Sequence, residues 1–417
     1  MQTLSPSPAR VSLRPLFALP VIVSALGFFV DVYDMVIFSI VRVPSLQSLH
    51  LAESTISTAG TFIMNCQQAG LLIGGFLWGV IGDKRGRMSV LFGSIITYSL
   101  TNIACGFVQD VNTYALLRFL AGVGLAGEMG AAMVLVSEIL PKEIRGYGSS
   151  LVAGIGYLGA GAAYLTVEYF NWRTAFWVGG GMGLLLLLLR VSVFESGLFN
   201  QLKIQHKEIS RGNFLRFFSS WSQTLKYLRC VSLGVPTWFV VGILATYANE
   251  LGDALHITGG LTPGRCVMFI YVGFAIGDLI CGPLSQWLHS RLKVIGSMMV
   301  FSLLFSALYL SGFVHTASGI YLTCFLAGIA TGYIAMFLTT VAEQYGTNLR
   351  NTATSSVLSV VRGTLIPMTL LFQALKPSMG IVTAAGLLGI LIYGLAFWSL
   401  GLMKETFGDD LDFVEQS

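Results

Sequence analysis

Several ionisable side chains lie inside long apolar stretches of the sequence, where a charge is costly and therefore informative. An ionised side chain at the centre of a bilayer costs about 2.5–3.5 kcal/mol even on the scale derived from insertion experiments, so each needs a partner or a function. A carboxylate there can hold and release a proton, and an arginine can bind an anion. The residues of this kind are Asp31, Asp34, Glu128, Asp278, Arg118 and Arg362.

The first apolar stretch carries the largest group of polar residues. Ser24, Gly27, Asp31 and Asp34 recur at i, i+3, i+7 and i+10, which places them along one face of a helix. At about 1.5 Å per residue, Arg118 lies about 10 Å into its own stretch, near the depth of Asp34. This spacing predicts a pair between Asp34 and Arg118 on two neighbouring helices.

These residues define two predicted sites. Carboxylates at this depth are candidates for proton coupling, namely Asp31, Asp34, Glu128 and Asp278. A buried arginine favours an anion, because its planar fork matches a carboxylate or phosphate. The candidates for substrate binding, with polar and aromatic side chains at similar depth, are Arg118, Arg362, Gln67, Gln68, Tyr157, Trp238, Tyr271 and Tyr333. Two alternatives stay open: a static hydrogen bond between helices for Glu128, and a structural pair with Asp278 for Arg362.

The elements that must position these side chains are membrane-length helices. Of the 417 residues, 54% are hydrophobic and 11% are charged, against roughly 25% charged in an average soluble domain. About 20 apolar residues cross a bilayer, and tilted helices use more. On that scale we predict twelve helices, near 16–43, 55–82, 87–108, 111–139, 147–170, 172–194, 230–250, 264–289, 293–314, 316–343, 352–375 and 380–403.

The long polar insert at residues 195–229 divides these helices six and six. We predict an N-terminal six-helix half over 1–194, a cytoplasmic linker with an amphipathic helix over 195–229, and a C-terminal half with a short cytoplasmic tail over 230–417. Most of the 24 lysines and arginines fall on the linker's side of the helices. By the positive-inside rule both termini are cytoplasmic, in a cell inner membrane. The sequence contains no Asn-x-Ser/Thr sequon, which fits a bacterial protein.

A short motif occurs in both halves. Glu138 and Arg145 lie seven residues apart in SEILPKEIRG, and Glu343 and Arg350 keep that spacing in AEQYGTNLRN. The two copies are 205 residues apart (343 minus 138). A repeat of this length indicates a duplicated six-helix unit.

The turn after the second predicted helix, Gly79–Arg87, reads GVIGDKRGR. It resembles the signature loop of the major facilitator superfamily, G-x-x-x-D-(R/K)-x-G-R. The run RFLAGVGLAGE from Arg118 resembles the family's fourth helix, while the Glu138 motif and FESGLF at Glu195 resemble inner-side motifs of its sugar-porter and metabolite:proton symporter branches. The resemblance implies an all-α membrane protein of twelve transmembrane helices in two six-helix pseudo-symmetric halves, working by alternating access.

The resemblance also implies a gate on the inner side of the membrane. Arg87 can pair with Glu138 across helices and so hold the halves closed while the transporter faces outward. The predicted gating residues are Gly79, Asp83, Arg87, Glu138, Arg145, Arg291, Glu343 and Arg350. The fifth helix, GIGYLGAGAAY, lacks the glycine–proline element of drug:proton antiporters, which counts against an efflux antiporter.

We expect a secondary transporter, not an enzyme, that moves a small organic anion or polar metabolite together with a proton. The sequence has no GxxxxGK[ST] loop for ATP. The main alternative is an exporter of a metabolite or siderophore-like compound. An intramembrane enzyme is disfavoured because the five histidines are dispersed, and a channel because the repeat is that of alternating access. No catalytic residue, metal site, cofactor or nucleic-acid partner is predicted; the expected partners are a small-molecule substrate, the proton and the lipid bilayer, and we expect a monomer.

Overall fold

The structure, a computed structural model, describes residues 14–141, 144–195, 217–347 and 349–408. A short 3-10 turn (Arg14–Phe17) precedes the helices. In chain order these are α1 (Leu19–Ser48), α2 (Glu53–Arg85), α3 (Arg87–Cys105), α4 (Val111–Leu125), α5 (Glu128–Ile139), α6 (Arg145–Tyr169), α7 (Trp172–Glu195), α8 (Trp221–Phe239), α9 (Ala248–Ala254), α10 (Pro263–Leu288), α11 (Arg291–Leu310), α12 (Ala317–Thr331), α13 (Ile334–Gln344), α14 (Arg350–Gly363), α15 (Leu365–Met379) and α16 (Ile381–Gly401).

These helices form twelve spans within the described residues, because four spans are interrupted. Spans 1 to 3 are α1 to α3, span 4 is α4 with α5, and spans 5 and 6 are α6 and α7. Span 7 is α8 and α9 joined through a π-helical turn, Val240–Ala245, and spans 8 and 9 are α10 and α11. Span 10 is α12 with α13, span 11 is α14 with α15, and span 12 is α16.

The predicted helices are confirmed, with one clear error in span 7. This span starts at Trp221 rather than near 230, because Ser220 caps α8 by accepting the N–H of Gln223 at 3.3 Å. Its first turns carry Lys226 and Arg229, so hydropathy alone did not reveal them. Residues 196–216, which hold most of the predicted linker and amphipathic helix, lie outside the described residues, so the linker stays a prediction.

The outer surface of the bundle is apolar. Nine of the described helical segments are long and apolar enough to cross a membrane, and span 3 adds a shorter one, Ser89–Cys105. Large hydrophobic side chains stand outward on these helices: Leu185 is 69% exposed, Leu188 67%, Ile390 69% and Trp398 61%. An apolar surface of this extent needs lipid rather than water around it.

Glycines let the spans of each half approach closely, at matching places. A Cβ atom on Gly70 of span 2 would lie 2.0 Å from the carbonyl oxygen of Phe119 in span 4. A Cβ atom on Gly273 of span 8 would lie 2.4 Å from the carbonyl oxygen of Phe325 in span 10. Only glycine permits such contact. The same close crossing therefore depends on a glycine in each half.

The interruptions in spans 4 and 10 also match. Gly127 lies in the break between α4 and α5, and Gly332 lies in the break between α12 and α13. The two glycines are 205 residues apart (332 minus 127), the spacing of the repeated glutamate–arginine motif. The duplication therefore extends to the irregular parts of the helices.

The two halves meet along spans 2 and 11 and along spans 5 and 8. A Cβ atom on Gly75 would lie 1.9 Å from the hydroxyl oxygen of Ser359, and one on Gly282 would lie 2.6 Å from the carbonyl oxygen of Gly146. These contacts are near one end of the bundle, where span 2 finishes and spans 5 and 9 begin. We call this the motif end, since the sequence motifs of the turns lie there.

Candidate functional site

A chamber lies between the two halves, near the middle of the spans. Its cavity volume is only about 10 Å³, room for about one water molecule, so the lining side chains nearly close it in this conformation. The ring of Tyr157 lies 5.2 Å from that of Phe28, 5.4 Å from Phe274 and 6.1 Å from Tyr271, all in edge-on arrangements that aromatic pairs favour. The lining residues, which include four of the predicted binding residues, are Phe28, Val32, Met35, Met129, Tyr157, Trp238, Tyr271, Phe274, Ile334, Leu358 and Arg362.

Arg362 is the charged member of this lining. It lies on span 11, next to Gly363, the last residue of α14, and it is 4% exposed. Its Nη2 atom lies 4.0 Å from the sulfur of Met129, while Nε and Nη1 are buried without a hydrogen-bond partner among the described residues. The chamber therefore presents unsatisfied N–H donors, which a buried site rarely tolerates without a use for them.

The structure does not pair Arg362 with Asp278, so the structural alternative for Arg362 is not supported. Asp278 lies on span 8, and its Oδ1 atom accepts the N–H of Ala335 at 2.9 Å. That N–H belongs to the first turn of α13, where a helix N-terminus has free donors. Asp278 thus caps the second piece of span 10 instead of neutralising the chamber's arginine.

Asp31 is a fully buried carboxylate next to the chamber wall. It follows Phe28 by three residues on span 1 and precedes Val32, both of which line the chamber. Neither of its carboxylate oxygens has a hydrogen-bond partner among the described residues. The charged side chains close enough to act on it are Arg362, Glu128, Asp34 and Arg190.

Arg118 and Asp34 do meet, but not through the predicted pair of side chains. Nη2 of Arg118 donates to the main-chain carbonyl of Asp34 at 3.0 Å, and Nη1 donates to Oδ1 of Asn102 at 2.9 Å. The rings of Phe38 and Phe176 lie 5.9 Å and 5.4 Å from the guanidinium carbon. Arg118 is outside the chamber lining and ties spans 1, 3 and 4 together, so the structure does not support its predicted role in substrate binding.

Glu128 belongs to a buried ion pair that sequence analysis missed. Its carboxylate accepts from both terminal nitrogens of Arg190 on span 6, with Nη1 at 3.1 Å from Oε2. The same Nη1 atom donates to the carbonyl of Leu91 at 3.1 Å, and the hydroxyl of Ser94 lies 3.3 Å from Oε2. A Cβ atom on Gly27 would lie 2.1 Å from Oε1, so glycine is what leaves room for the pair.

A signal for Arg190 was present in the sequence. It follows six consecutive leucines within a predicted helix, and a cation there must find a partner inside the bundle. The static alternative for Glu128 is therefore the better description, with an arginine as the partner.

Three other predicted binding residues are outside the chamber lining. Gln67 is buried on span 2 and Gln68 is partly buried beside it. The phenol of Tyr333 donates to the carbonyl of Leu233 at 2.9 Å and fixes span 10 against span 7. Residue type and depth suggested these side chains, but the rotation of each helix, which depends on its packing partners, turns them away from the chamber.

At the motif end, Glu343 of span 10 is bound by two arginines. Its Oε1 atom lies 3.3 Å from Nη1 of Arg145 and 3.1 Å from Nη2 of Arg291, and its Oε2 atom accepts from the hydroxyl of Thr406 at 2.9 Å. All three charged side chains are buried. Arg145 belongs to the first half and Glu343 to the second, so this gate cluster (Arg145, Arg291 and Glu343) ties the halves together.

The remaining predicted gating residues are only partly described. Nε of Arg350 donates to the carbonyl of Ala342 at 3.0 Å and braces the turn between spans 10 and 11. Gly79 is buried on span 2. The side chains of Asp83, Arg87 and Glu138 lie outside the described residues, so the pair of Arg87 with Glu138 stays a prediction.

The segment after span 12, which sequence analysis did not single out, packs onto the gate cluster. The carboxylate of Glu405 accepts from the hydroxyl of Ser290 and from the N–H groups of Arg291 and Leu292, at 2.8 Å and 3.2 Å. Partial burial opposes ionisation, but these hydrogen bonds outweigh it and lower the pKa of Glu405 below its ordinary value. The ring of Phe407 lies 4.9 Å from the Arg291 guanidinium.

Twelve spans in two similar halves, with a buried chamber between them and a charge cluster joining them at one end, are the architecture of a membrane transporter. The sequence model of the Major Facilitator Superfamily matches residues 24–366. The chain belongs to the Major Facilitator Superfamily, as its motifs predicted.

Relatives agree with this assignment. The benzoate transport protein of Acinetobacter baylyi is 34% identical over a segment that covers 41% of this chain and 38% of that protein. The 3-(3-hydroxy-phenyl)propionate transporter of Escherichia coli is 28% identical, covering 79% of this chain and 82% of that protein. Four of the curated relatives, the benzoate protein among them, are matched over only 38% to 64% of their own length.

Among solved structures, this fold is similar to that of the proton:xylose symporter XylE bound to 6-bromo-6-deoxy-D-glucose. The TM-score is 0.72 at 17% sequence identity, and the match covers 96% of this chain and 98% of that one. At this identity the likeness shows the fold alone.

Proposed function

We propose that this chain is a proton-coupled symporter that carries a small aromatic carboxylate across the cell's inner membrane by alternating access. The observation that supports it most is Arg362, a buried guanidinium in an aromatic chamber, with two nitrogens that no described residue satisfies. A substrate carboxylate can accept from this fork while its ring packs against Tyr157 and Trp238. An apolar ring with a single carboxylate fits both requirements.

The relatives support this substrate class. The benzoate transport protein and the 3-(3-hydroxy-phenyl)propionate transporter are both named for aromatic carboxylates. The likeness to XylE is a likeness of fold and carries no argument for a sugar. An aromatic acid is therefore favoured over the wider class of organic anions and polar metabolites that the sequence suggested.

The transport that we propose is uptake into the cell, and this direction favours proton coupling. Moving one negative charge inward against an inside-negative potential costs about 2.3 kcal/mol per 100 mV. A proton that travels with the anion cancels this cost, and buried acids near the chamber can carry it. Of the predicted set, Asp31 lies beside the chamber wall, whereas the Asp34 carboxylate lies against Gly179 of span 6. Glu128 is bound to Arg190, and Asp278 caps α13.

We also propose that the motif end faces the cytoplasm and that the gate cluster closes the path on that side. Positive residues favour this orientation. Cysteines at Lys84, exposed near the motif end, and at Phe313, exposed at the opposite end, give the test in a background without the native cysteines. An impermeant thiol reagent should label the second in intact cells and the first only after the membrane is opened; the reverse pattern would overturn the orientation.

The function is tested with purified protein and with proteoliposomes. Binding is measured for benzoate, gentisate, benzyl alcohol, benzylamine and xylose, and we expect the two acids to bind and the other three to fail. Gentisate counter-flow, corrected for leak in protein-free liposomes, should respond to an inward proton gradient and stop with a protonophore. Tighter binding of benzylamine or xylose than of either acid would reject the proposal.

A further inference from the structure

Two buried charges of opposite sign lie at the central chamber on opposite halves of the molecule. Asp31 is on span 1, in the first half, and Arg362 is on span 11, in the second. Both carboxylate oxygens of Asp31, and Nε and Nη1 of Arg362, are buried without a hydrogen-bond partner among the described residues. Sequence analysis assigned them to separate sites, but each lies within the other's electrostatic field.

Other charged groups buried at this depth lie against partners in their own half. The Asp34 carboxylate also lacks a hydrogen-bond partner among the described residues, but the cation that acts on it is Arg118 of the same half. Glu128 is bound by Arg190 within the first half. Arg118 donates to Asn102 in that same half, and Asp278 caps α13 within the second half. Each of these contacts stays intact when one half moves against the other. The attraction between Asp31 and Arg362 does not, because it crosses the boundary between the halves.

We propose that Asp31 and the substrate carboxylate compete for the guanidinium of Arg362, so that a proton on Asp31 frees Arg362 to bind substrate. This inference rests on the proposed function and adds its coupling step. With Asp31 ionised, its charge holds Arg362. When Asp31 takes up a proton from the side to which the chamber is open, the guanidinium becomes available to the substrate. The only bond made or broken is the O–H bond of Asp31, and its proton leaves on the other side after the substrate.

The other groups around Asp31 fit this scheme. The titratable and charged side chains that act on it, or on which it acts, are Arg362, Glu128, Asp34, Arg190, Tyr98 and Tyr157. Glu128 and Arg190 offset one another as an ion pair, and Asp34 has Arg118 as its neighbouring cation. Once a substrate carboxylate engages Arg362, Asp31 has no free cation beside it, so it keeps its proton.

The placement on opposite halves links occupancy to movement. An ionised Asp31 that faces a free Arg362 attracts the other half across the chamber. Binding of both proton and substrate removes that attraction, since Asp31 is then neutral and Arg362 is neutralised by the substrate. A state with only one of the two ligands leaves a buried charge unpaired, which is costly. The pair can therefore favour the change of conformation with both ligands or with neither.

The test uses the full-length protein in detergent and benzoate as the probe. Binding is measured from about pH 6 to about pH 9, where benzoate itself stays ionised. We expect the apparent affinity to fall by about tenfold per pH unit above the pKa of Asp31, as linkage to one proton requires. In a weakly buffered solution, benzoate binding should take up about one proton per molecule bound.

Asp31→Asn should bind benzoate with an affinity independent of pH and without proton uptake. The control variant Asp253→Asn, at an exposed acid on α9, should keep both properties. Proton uptake that persists unchanged in Asp31→Asn would overturn the inference. The inference would also be overturned if benzoate binding to the wild-type protein neither depended on pH nor took up a proton. That measurement does not depend on a variant that folds. Wild-type protein that binds none of the aromatic acids would instead reject the proposed function itself, and the inference with it.

Discussion

The gate cluster and the chamber both contain buried charges, but they differ in how fully those charges are satisfied. Glu343 in the gate cluster accepts from Arg145, Arg291 and Thr406. In the chamber, Arg362 and the adjacent Asp31 have buried polar atoms without hydrogen-bond partners among the described residues. Satisfied charges hold one arrangement of the halves, whereas unsatisfied ones are free to exchange partners. Conformational control is therefore expected at the gate cluster, and ligand binding in the chamber.

The largest effect on stability is expected at Arg190, whose charge is paired, and a much smaller one at Arg362, whose charge is not. Arg190→Gln leaves the Glu128 carboxylate buried without its cation, which should lower the free energy of unfolding by about 3–5 kcal/mol. Arg362→Gln removes a cation that has no hydrogen-bonded acid, so its effect should stay within about 1 kcal/mol. Unfolding of both variants is measured in the same detergent. Equal losses would show that the two arginines are equally structural.

Gly27→Ala tests the Glu128–Arg190 ion pair without removing a charged group. The added Cβ atom would lie 2.1 Å from Oε1 of Glu128, so the ion pair has to move. We expect a loss of stability similar in direction to that of Arg190→Gln, and a smaller loss in the double variant than the two single losses added together. Gly161→Ala on span 5, where a Cβ atom meets nothing within 4 Å, is the matched control.

The next effect is on binding at the chamber. Arg362→Ala should weaken benzoate binding by about 2–5 kcal/mol, well over tenfold, because a buried charge-assisted contact is lost. Arg362→Lys should recover only part, since lysine keeps the charge and loses the fork. Isothermal titration of the purified variants measures both. Wild-type affinity in Arg362→Ala would make the arginine structural and would favour a neutral or cationic substrate.

The architecture could be predicted from the sequence more completely than the contacts of the buried charged residues. The length of the apolar runs and the 205-residue repeat predicted twelve helices in two halves, because hydropathy and duplication are visible along the chain. The partner of each buried charge was not, because it depends on how neighbouring helices are rotated. Arg118, for example, donates to the main-chain carbonyl of Asp34 rather than to its carboxylate.

The gate shows the same limit. The motif identified Arg145 and Glu343 as gating residues, but sequence analysis did not show that they contact each other across the halves. Nor did it show that the tail after span 12 reaches them through Thr406. Spacing along the chain identifies equivalent positions in two repeats, and only the packing of the repeats shows which copies meet.

Disrupting the gate cluster should change the balance between conformations. It should affect binding at the chamber much less. Arg145→Ala removes a charge-assisted contact between the halves, worth about 1.5–3 kcal/mol, so opening of the motif end should increase at least tenfold. A cysteine at Ser149, whose hydroxyl accepts from Thr339 across the halves at 2.9 Å, should then react faster with a thiol reagent. Benzoate binding should remain measurable while transport slows.

Arg229→Ala is the matched control for the gate, because Nη1 of Arg229 donates to the carbonyl of Leu402 within its own half, at 3.3 Å. Its effect on the reactivity of a cysteine at Ser149 should be smaller. If Arg145→Ala and Arg229→Ala increase this reactivity equally, contact across the halves is not what closes the motif end.

The smallest expected effect concerns the tail and its dependence on pH. The pKa of Glu405 is lowered when the tail is docked, because its hydrogen bonds to Ser290, Arg291 and Leu292 outweigh its partial burial. For a depressed pKa, the stabilisation is complete above the ordinary glutamate pKa of about 4.3 and is lost as the pH falls through the docked value. Because the carboxylate is partly exposed, solvent screens the contribution and keeps it small.

A fluorophore on a cysteine at Lys404, an exposed neighbour of Glu405, reports whether the tail is docked. We expect docking to be constant above about pH 5 and to weaken by a few-fold below about pH 4, around the ordinary glutamate pKa. Glu405→Gln keeps the shape of the side chain but removes its charge, so its tail should be looser at neutral pH and unaffected by acid. A change of fluorescence with the same midpoint in Glu405→Gln would assign the acid sensitivity to another group. The tail would then rest on the gate cluster through Thr406 and Phe407, without help from this carboxylate.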